Sequence, residues 1–273
     1  MKLNKKYTFT NNRQIWRLLL SDKNKLIIEE RDLEKKEAFY NCIQAETGIP
    51  TFMNYQLDEK YWVGIETVYK EIIYFHKFTQ PNMPGHKVIM AYDIDSSKIL
   101  WQTDKYSFLF IHDDKVYVFR QKFETREFFT LNYLTGELID ELGEDAASIN
   151  IIRESIPEEE KYNTYSFPFI FKNDDESDEV KSNIVNNTKG LLTEGNIEYI
   201  LYKDFLVFNF FIKNEDGKLE NKFFITDLKN SSSIVNDVLL SDANSYVPDS
   251  YFMKDNLLFV LKEKTKVEVF ELS

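Results

Sequence analysis

One pattern recurs along the chain and limits what it can fold into: a short polar turn followed at once by a run of apolar and β-branched residues. The stretch 87–121 shows the pattern most completely, because short apolar runs alternate there with polar steps of Asp, Ser and Lys. Runs rich in Val, Ile, Phe and Tyr and bounded by turn-forming residues are typical of antiparallel strands. The sequence therefore predicts an all-β protein. The apolar runs that follow the clearest turns begin at Leu26, Ile72, Val116, Phe205 and Leu257.

These starting points are about 45 residues apart, except that the interval from Val116 to Phe205 is about twice as long. A further apolar run, at Phe167, divides that interval into two. A repeat of this length is typical of the blades of a β-propeller, each of which is a four-stranded antiparallel sheet. Six such repeats fill the 273 residues. We therefore predict a single domain, 1–273, folded as a β-propeller of six four-stranded blades. A five-bladed ring with a long insertion at residues 146–195 is the alternative.

The stretch 146–195 and the two ends of the chain decide between these counts. With six blades, the stretch supplies strands at residues 148–153, 164–171, 180–185 and 190–194. The acidic run 173–178 then forms an exposed loop that proteases cut early. The last repeat, 249–273, has only three strand-like runs, whereas a spare run precedes the first repeat at Lys6–Thr10. We predict that this N-terminal strand pairs with Val267–Leu272 and closes the ring, because an open ring leaves unpaired sheet edges.

Part of the repeat matches a known pattern. The segment AYDIDSSKILWQ (91–102), followed by HDDKVYVF (112–119), resembles the repeat of quinoprotein-like (PQQ-repeat-type) β-propellers, and TLNYLTGEL (130–138) resembles it again. The chain is also similar in size and pattern to uncharacterised bacterial propeller proteins of unknown function. The resemblance implies four-stranded blades. It does not imply a bound quinone, because the chain is shorter than the quinoprotein enzymes, lacks their vicinal cysteines and keeps few of their glycines. We expect no cofactor.

The charge of the chain argues against two classes of partner. The sequence has 34 Lys and Arg against 46 Asp and Glu, which gives a formal net charge of −12. A surface of this sign repels the phosphates of nucleic acids and anionic lipids. We expect no nucleic acid and no membrane as partner, and an unknown protein or small ligand instead.

Cysteine usage and the lengths of the apolar runs point to the cytoplasm. Cys42 is the single cysteine, so no intrachain disulfide can form, and its place in a predicted strand at 38–44 indicates a buried, unreactive thiol. No run approaches the ~18 apolar residues of a membrane helix. Near the N-terminus the longest apolar run, Leu18–Leu20, is too short for a signal peptide. We expect a cytoplasmic monomer.

Histidines are the candidate chemical groups. His76 lies on a predicted strand at 72–78 and His86 ends the Pro/Gly loop that follows, whereas His112 belongs to a turn on the opposite face. Two imidazoles beside carboxylates could bind a metal or carry out acid–base chemistry, and imidazoles packed against Tyr or Phe in a rigid hairpin are the simpler interpretation. We predict His76 and His86 as binding residues, with no catalytic residue and no metal ligand assigned. The propeller topology places four polar residues near this pair: Asp58, Glu59, Asp104 and Tyr106.

Two tryptophans, Trp16 and Trp101, occupy equivalent places on the predicted fourth strands of their repeats, and repetition of this kind indicates packing between blades. No nucleophile elbow, phosphate-binding glycine loop, dinucleotide fingerprint or His-Glu-x-x-His motif occurs. The favoured function is a non-enzymatic binding or protein-interaction module that uses one face of the propeller. The alternatives are a metal-assisted hydrolase or lyase on the face carrying His76 and His86, and the binding of a small ligand or glycan.

Overall fold

A computed structural model gives the structure of the chain and describes residues 2–79, 85–157, 162, 164–172, 177–230 and 232–273. In these ranges the fold is mostly antiparallel β-sheet, with two α-helices. The residues group into two compact units, one made of residues 13–161 and the other of residues 1–12 with 162–273. The single domain over 1–273 stays a prediction. Within the described ranges, neither helix is long and apolar enough to cross a lipid bilayer.

The elements are as follows, in chain order: β1 (Leu3–Thr10), β2 (Gln14–Leu20), β3 (Lys25–Asp32), β4 (Glu37–Gln44), β5 (Pro50–Tyr55), β6 (Val63–Tyr69), β7 (Ile72–Phe78), β8 (His86–Asp93), β9 (Lys98–Thr103), β10 (Ser107–His112), β11 (Lys115–Gln121), β12 (Arg126–Asn132), β13 (Leu138–Gly143), α1 (Ala146–Glu154), β14 (Tyr165–Ser166), β15 (Phe169–Ile170), α2 (Asp178–Thr188), β16 (Thr193–Tyr202), β17 (Phe205–Lys213), β18 (Leu219–Asp227), β19 (Ser232–Ala243), β20 (Tyr251–Lys254), β21 (Leu257–Lys262) and β22 (Lys266–Leu272).

The turns before β3, β7, β11, β17 and β21, one in each sheet, have the same backbone geometry. In each of them a polar residue adopts the left-handed region, which Asn and Asp tolerate best among residues with a side chain. The buried runs of β3, β7, β11, β17 and β21 follow these turns directly, so the strand starts expected from the sequence are confirmed. The residues concerned are Asn24 (φ 55°), Lys70 (φ 52°), Asp114 (φ 61°), Lys203 (φ 54°) and Asp255 (φ 54°).

In the unit of residues 13–161, consecutive strands form three four-stranded sheets: β2–β5, β6–β9 and β10–β13. An apolar core lies between the first and second sheets and contains Tyr40, Cys42, Phe75 and Tyr92. Burial raises the pKa of the Cys42 thiol to about 11, which keeps the thiol protonated at neutral pH. The prediction of a buried thiol is confirmed.

In the unit of residues 1–12 and 162–273 there are two five-stranded sheets, ordered β15-β16-β17-β18-β19 and β1-β22-β21-β20-β14. β1 pairs antiparallel with β22, from Leu3 opposite Leu272 to Thr10 opposite Lys266. The predicted pairing of the N-terminal strand with the C-terminal strand is therefore confirmed. β14 and β15 each add one short edge strand to a different sheet.

The expected sixth sheet does not form in the described residues. Two of the strands predicted between 146 and 195 are helices instead: α1 begins after an N-cap at Asp145, and α2 after an N-cap at Ser177. The buried residues of α2, Val180, Asn183 and Ile184, follow the i, i+3, i+4 spacing of a helix face rather than the alternation of a strand. The predicted strand at 164–171 is split, because Pro168 lacks the N–H group that a paired strand needs.

The described residues thus form five sheets, the number in the alternative prediction with an insertion at 146–195. The predicted acidic loop, 173–178, lies outside the described residues except for its last two: Ser177 is the N-cap of α2 and Asp178 is its first residue.

The predicted equivalence of the two tryptophans is wrong. Trp101 lies on β9, the fourth strand of its sheet, packs against the core and donates from Nε1 to the carbonyl of Tyr133 over 3.0 Å. Trp16 lies on β2, the first strand of its sheet, and is 55% exposed. The reason is that β1 is paired in one sheet and β2 is the first strand of another. The residues after the short turn at Asn11–Asn12, including Trp16, therefore lie on a first strand and not on a fourth strand.

Candidate functional site

Three neighbouring strands of the β6–β9 sheet bring one carboxylate and two imidazoles together. His76 lies on β7 and His86 is the first residue of β8, opposite Phe78. Side chains alternate along a strand, so His76, two residues before Phe78, lies on the same face as His86. The register between β6 and β7 shifts at Glu66, which is the extra residue of a β-bulge. Bulges re-aim side chains, and this one directs Glu66 to the two imidazoles.

The three side chains are in direct contact. His86 Nδ1 donates to Glu66 Oε1 over 2.6 Å, and His76 Nδ1 lies 3.2 Å from the same oxygen. The two imidazole rings are stacked, with centroids 3.6 Å apart and planes inclined by 7°. One potential ligand atom from each residue lies within 4.8 Å of the other two. In the part of the chain that the structure describes, no second group of His, Cys, Asp and Glu side chains is arranged in this way.

His76 is buried without a hydrogen-bond partner. It is 3% exposed, and neither ring nitrogen makes a hydrogen bond, although Nδ1 lies 3.2 Å from Glu66 Oε1. Packing holds the ring instead: Phe78 meets it edge-on at 4.9 Å, and a Cβ atom on Gly64 would lie 3.0 Å from His76 Cε1. A buried polar group left unpaired costs about 1–3 kcal/mol. An imidazole kept in this state indicates a site that a ligand completes.

The charge of Glu66 responds to both imidazoles. Burial alone raises the pKa of this carboxyl, but the interactions with the adjacent imidazoles of His76 and His86 together outweigh burial, so the net pKa of Glu66 is lowered. The carboxylate is therefore ionised at neutral pH. An ionised carboxylate beside two imidazoles is a donor set for a cation.

Two arginines of the β2–β5 sheet hold the strand that carries Glu66. Arg31 donates from Nη1 to the carbonyl of Tyr61 and from Nη2 to that of Val63, each over 2.5 Å. Arg17 donates to the carbonyl of Ile65. These bonds satisfy carbonyl groups along and just before β6, an edge strand of its sheet. The bulged strand is thus fixed in position by its neighbours.

The structure brings the two predicted binding residues, His76 and His86, together as the sequence suggested, and it keeps His112 apart, beside Asp113. Glu66 is not among the polar residues that the sequence predicts near this pair, which lie at positions 58, 59, 104 and 106. Of those residues, Glu59 accepts hydrogen bonds from the backbone N–H groups that follow it, at 61 and 62. A bulge changes which residues of two neighbouring strands are opposite each other, and the sequence of β6 contains no signal for one. The position of Glu66 therefore follows only from the observed register.

A minor part of the chain matches a family model of unknown function. Residues 20–101 match a domain of unknown function (DUF4905), and all three site residues lie inside this match. No curated protein sequence matches the chain.

Similar solved structures share little sequence with the chain. BamB from Moraxella catarrhalis is 8% identical, with a TM-score of 0.32, and the match covers 99% of this chain and 100% of that one. The β-propeller domain of the Trilobed protease from Pyrococcus furiosus is 10% identical, with a TM-score of 0.31 and coverages of 92% and 64%. Prolyl oligopeptidase B from Galerina marginata is 8% identical, with a TM-score of 0.34 and coverages of 91% and 30%. At this level of similarity nothing about function is carried over.

Proposed function

We propose that this chain is a binding module and that Glu66, His76 and His86 bind a divalent transition-metal ion. The observation that supports this most strongly is the buried His76 imidazole, whose two nitrogens have no hydrogen-bond partner although one lies 3.2 Å from a carboxylate oxygen. The proposal goes beyond the sequence analysis, which assigned no metal ligand. What changes the interpretation is the third donor, Glu66.

The donor set selects the kind of ion. Two imidazoles and one carboxylate suit zinc and its neighbours in the first transition row, whereas calcium and magnesium prefer sites made of oxygen ligands alone. Zinc is the ion we expect. Iron, cobalt and nickel share the preference for imidazole, so cobalt serves as a spectroscopic substitute.

One ring has to move when the ion binds. An imidazole nitrogen binds a metal along its lone pair, in the plane of the ring, and two stacked rings direct their lone pairs side by side. Two nitrogens on one zinc ion, each about 2.0–2.1 Å from it, are roughly 3.3 Å apart. His86 is the ring that can turn, since its side chain is 36% exposed, whereas His76 is 3% exposed and fixed by packing. Binding should therefore break the stack of the two imidazoles.

Thermal unfolding with added metal tests the proposal. An ion that binds only the folded state at 100 times its dissociation constant stabilises by about 2.7 kcal/mol. In a chain of this size we expect zinc to raise Tm by about 5–10 °C. Calcium and magnesium at equal concentration should leave Tm unchanged. The protein is purified without a His-tag, so that the tag does not bind the metal.

Three variants make the test specific. Glu66→Gln keeps the volume of the side chain and removes its charge, and His86→Ala removes a half-exposed ring. Both should abolish the zinc-induced rise in Tm. His112→Ala is the matched control, because this histidine lies outside the site, and it should keep the full rise. Equal zinc responses in all four proteins, or no response in the wild type, would overturn the proposal and leave the two histidines as packing residues.

We also propose that the five sheets are the blades of one closed β-propeller ring. The repeat spacing of about 45 residues and the pairing of β1 with β22 support this. Small-angle scattering tests it, because one compact body of this length should have a radius of gyration of about 18–19 Å. A clearly larger radius would show separate bodies.

Protein binding is the second candidate function, and exposed apolar side chains around β14, β15 and the end of α2 favour it. Phe169 is 67% exposed and Leu192 is 81% exposed, and large apolar side chains left exposed are enriched at interaction sites. Cross-linking in native lysate, compared between the wild type and the double variant Phe169→Ser/Leu192→Ser, tests this. A partner lost only in the variant supports the surface, and an identical set of partners counts against it. Nucleic acid stays an unexpected partner, given the net charge of −12.

A further inference from the structure

The site supplies three donors, and the exposure of those donors is uneven. The side chain of His76 is 3% exposed, that of Glu66 is 13% exposed and that of His86 is 36% exposed. The buried side of the site is closed by Phe78, which meets both rings edge-on, and by the backbone of Gly64. Solvent therefore reaches the site from the His86 side.

A fourth protein ligand is missing from the described residues. No further His, Cys, Asp or Glu joins the group there. Residues 80–84, which precede His86 closely in sequence, contain no imidazole, thiol or carboxylate. Structural zinc sites are closed by four protein ligands, whereas sites that act on or bind other molecules use three and leave a position open.

We infer that the ion bound by Glu66, His76 and His86 keeps an open coordination position on the His86 side and takes up an external anionic ligand, of which a carboxylate is the model. This inference rests on the proposed metal binding. A divalent ion held by one carboxylate and two neutral imidazoles keeps a net positive charge, which attracts an anion at close range. The acidic surface of the chain opposes the approach of anions over longer distances, and salt screens that effect within about 10 Å at 0.1 M.

The two guanidinium groups beside the bulged strand are not free to bind the external anion. The guanidinium groups nearest to the bulged strand are engaged, because Arg31 donates to two carbonyl groups and pairs with Glu29, and Arg17 donates to the carbonyl of Ile65. The bound metal ion is therefore the positive charge that attracts the incoming anion. The ligand is recognised by the oxygen or nitrogen atom with which it coordinates the ion.

Cobalt substitution separates this inference from the proposed function. The protein is loaded with cobalt(II), and the visible absorption of the bound ion is followed while sodium azide or sodium acetate is added. Sodium perchlorate, which coordinates weakly, controls for ionic strength. We expect saturable changes in the cobalt spectrum with azide and with acetate, and none with perchlorate. Because coupling between two ligands is reciprocal, saturating azide should tighten cobalt binding by about fivefold or more.

The outcomes are distinct. Absence of a protein-bound cobalt spectrum in the wild type refutes the proposed metal site itself. A bound cobalt spectrum that responds to azide and acetate no more than to perchlorate leaves the metal site in place and overturns the open position. Glu66→Gln and His112→Ala serve as the paired variants, and the response should be lost in the first and kept in the second.

Discussion

The pairing of β1 with β22 predicts that a single side chain near the N-terminus controls the stability of its unit. Phe9 is the buried residue of β1, at 8% exposure, whereas the neighbouring Thr8 is exposed. Truncation of a buried Phe to Ala costs about 3–5 kcal/mol, because apolar burial is lost and a cavity remains. We take the lower end, about 3 kcal/mol, since β1 is an edge strand. That is a large share of the 5–15 kcal/mol by which folded domains are usually stable.

The measurement is thermal and urea unfolding of Phe9→Ala beside Thr8→Ala. A loss of about 3 kcal/mol should lower Tm by about 6–12 °C. Thr8→Ala keeps the same backbone ladder and removes an exposed side chain, so its free energy of unfolding should stay within about 0.5 kcal/mol of the wild type.

Deletion of the whole strand tests the same contact more severely. Without residues 2–10 the protein loses Phe9, the ladder to β22 and the closing hydrogen bonds between residues 2 and 273. The expected loss is about 3–6 kcal/mol, and β22 becomes an exposed sheet edge that promotes aggregation. A deletion variant that stays soluble and melts within a few degrees of the wild type, together with a Phe9→Ala protein of unchanged Tm, would refute the role given to this pairing.

Three further predictions concern other parts of the chain. Gly64→Ala places a Cβ atom 3.0 Å from Cε1 and 3.1 Å from Nε2 of His76, so the imidazole ring must shift. Zinc titration should then show about tenfold weaker binding than in the wild type. An unchanged zinc affinity would contradict the packing of His76 against Gly64. Burial raises the pKa of Glu198. The stability that this group contributes is therefore full below its unfolded pKa and is lost as pH rises through its folded pKa. Measured by urea unfolding, Glu198→Gln should be more stable than the wild type at pH 7, and this difference should disappear at low pH. Burial raises the pKa of Asp237, but the hydrogen bonds from Lys262 and from the backbone N–H of Val238, together with the charge of Lys262, outweigh burial and lower it. The carboxylate therefore contributes stability above its unfolded pKa, and this stability is lost as pH falls through its folded pKa. Asp237→Asn should cost about 0.5 kcal/mol at pH 7 and less in acid, as measured by urea unfolding.

Local signals predicted much of the fold. A strand that begins after a turn is visible in sequence because the turn needs residues that tolerate the left-handed region, and the run after it needs apolar and β-branched residues. The sequence did not reveal the helices at 146–154 and 178–188. Runs such as Ile149–Ile152 have the composition of strands, and the caps at Asp145 and Ser177, which decide for helices, are short signals.

The sequence contains a further signal for His76, which is a polar residue that recurs at the same place in several repeats. His76 is the fifth residue of the run that begins at Ile72, and Glu30 and Asn209 hold the same place in the runs that begin at Leu26 and Phe205. All three are buried polar residues. A polar residue recurring at a place where apolar ones are expected marks a position with a special environment.

The sequence by itself determined the strands, their turns, the hairpin that carries His76 and His86, and the need for a terminal strand to complete the last sheet. These depend on residues close together in the chain, or on a count of strands. The tertiary structure alone decided that the segment after residue 146 contributes helices, and that Glu66 meets both imidazoles. The physical reason for the first is that such a segment becomes a helix or a strand according to which of the two apolar faces can pack against a core. The reason for the second is that a bulge changes the face to which a side chain points without changing the sequence around it.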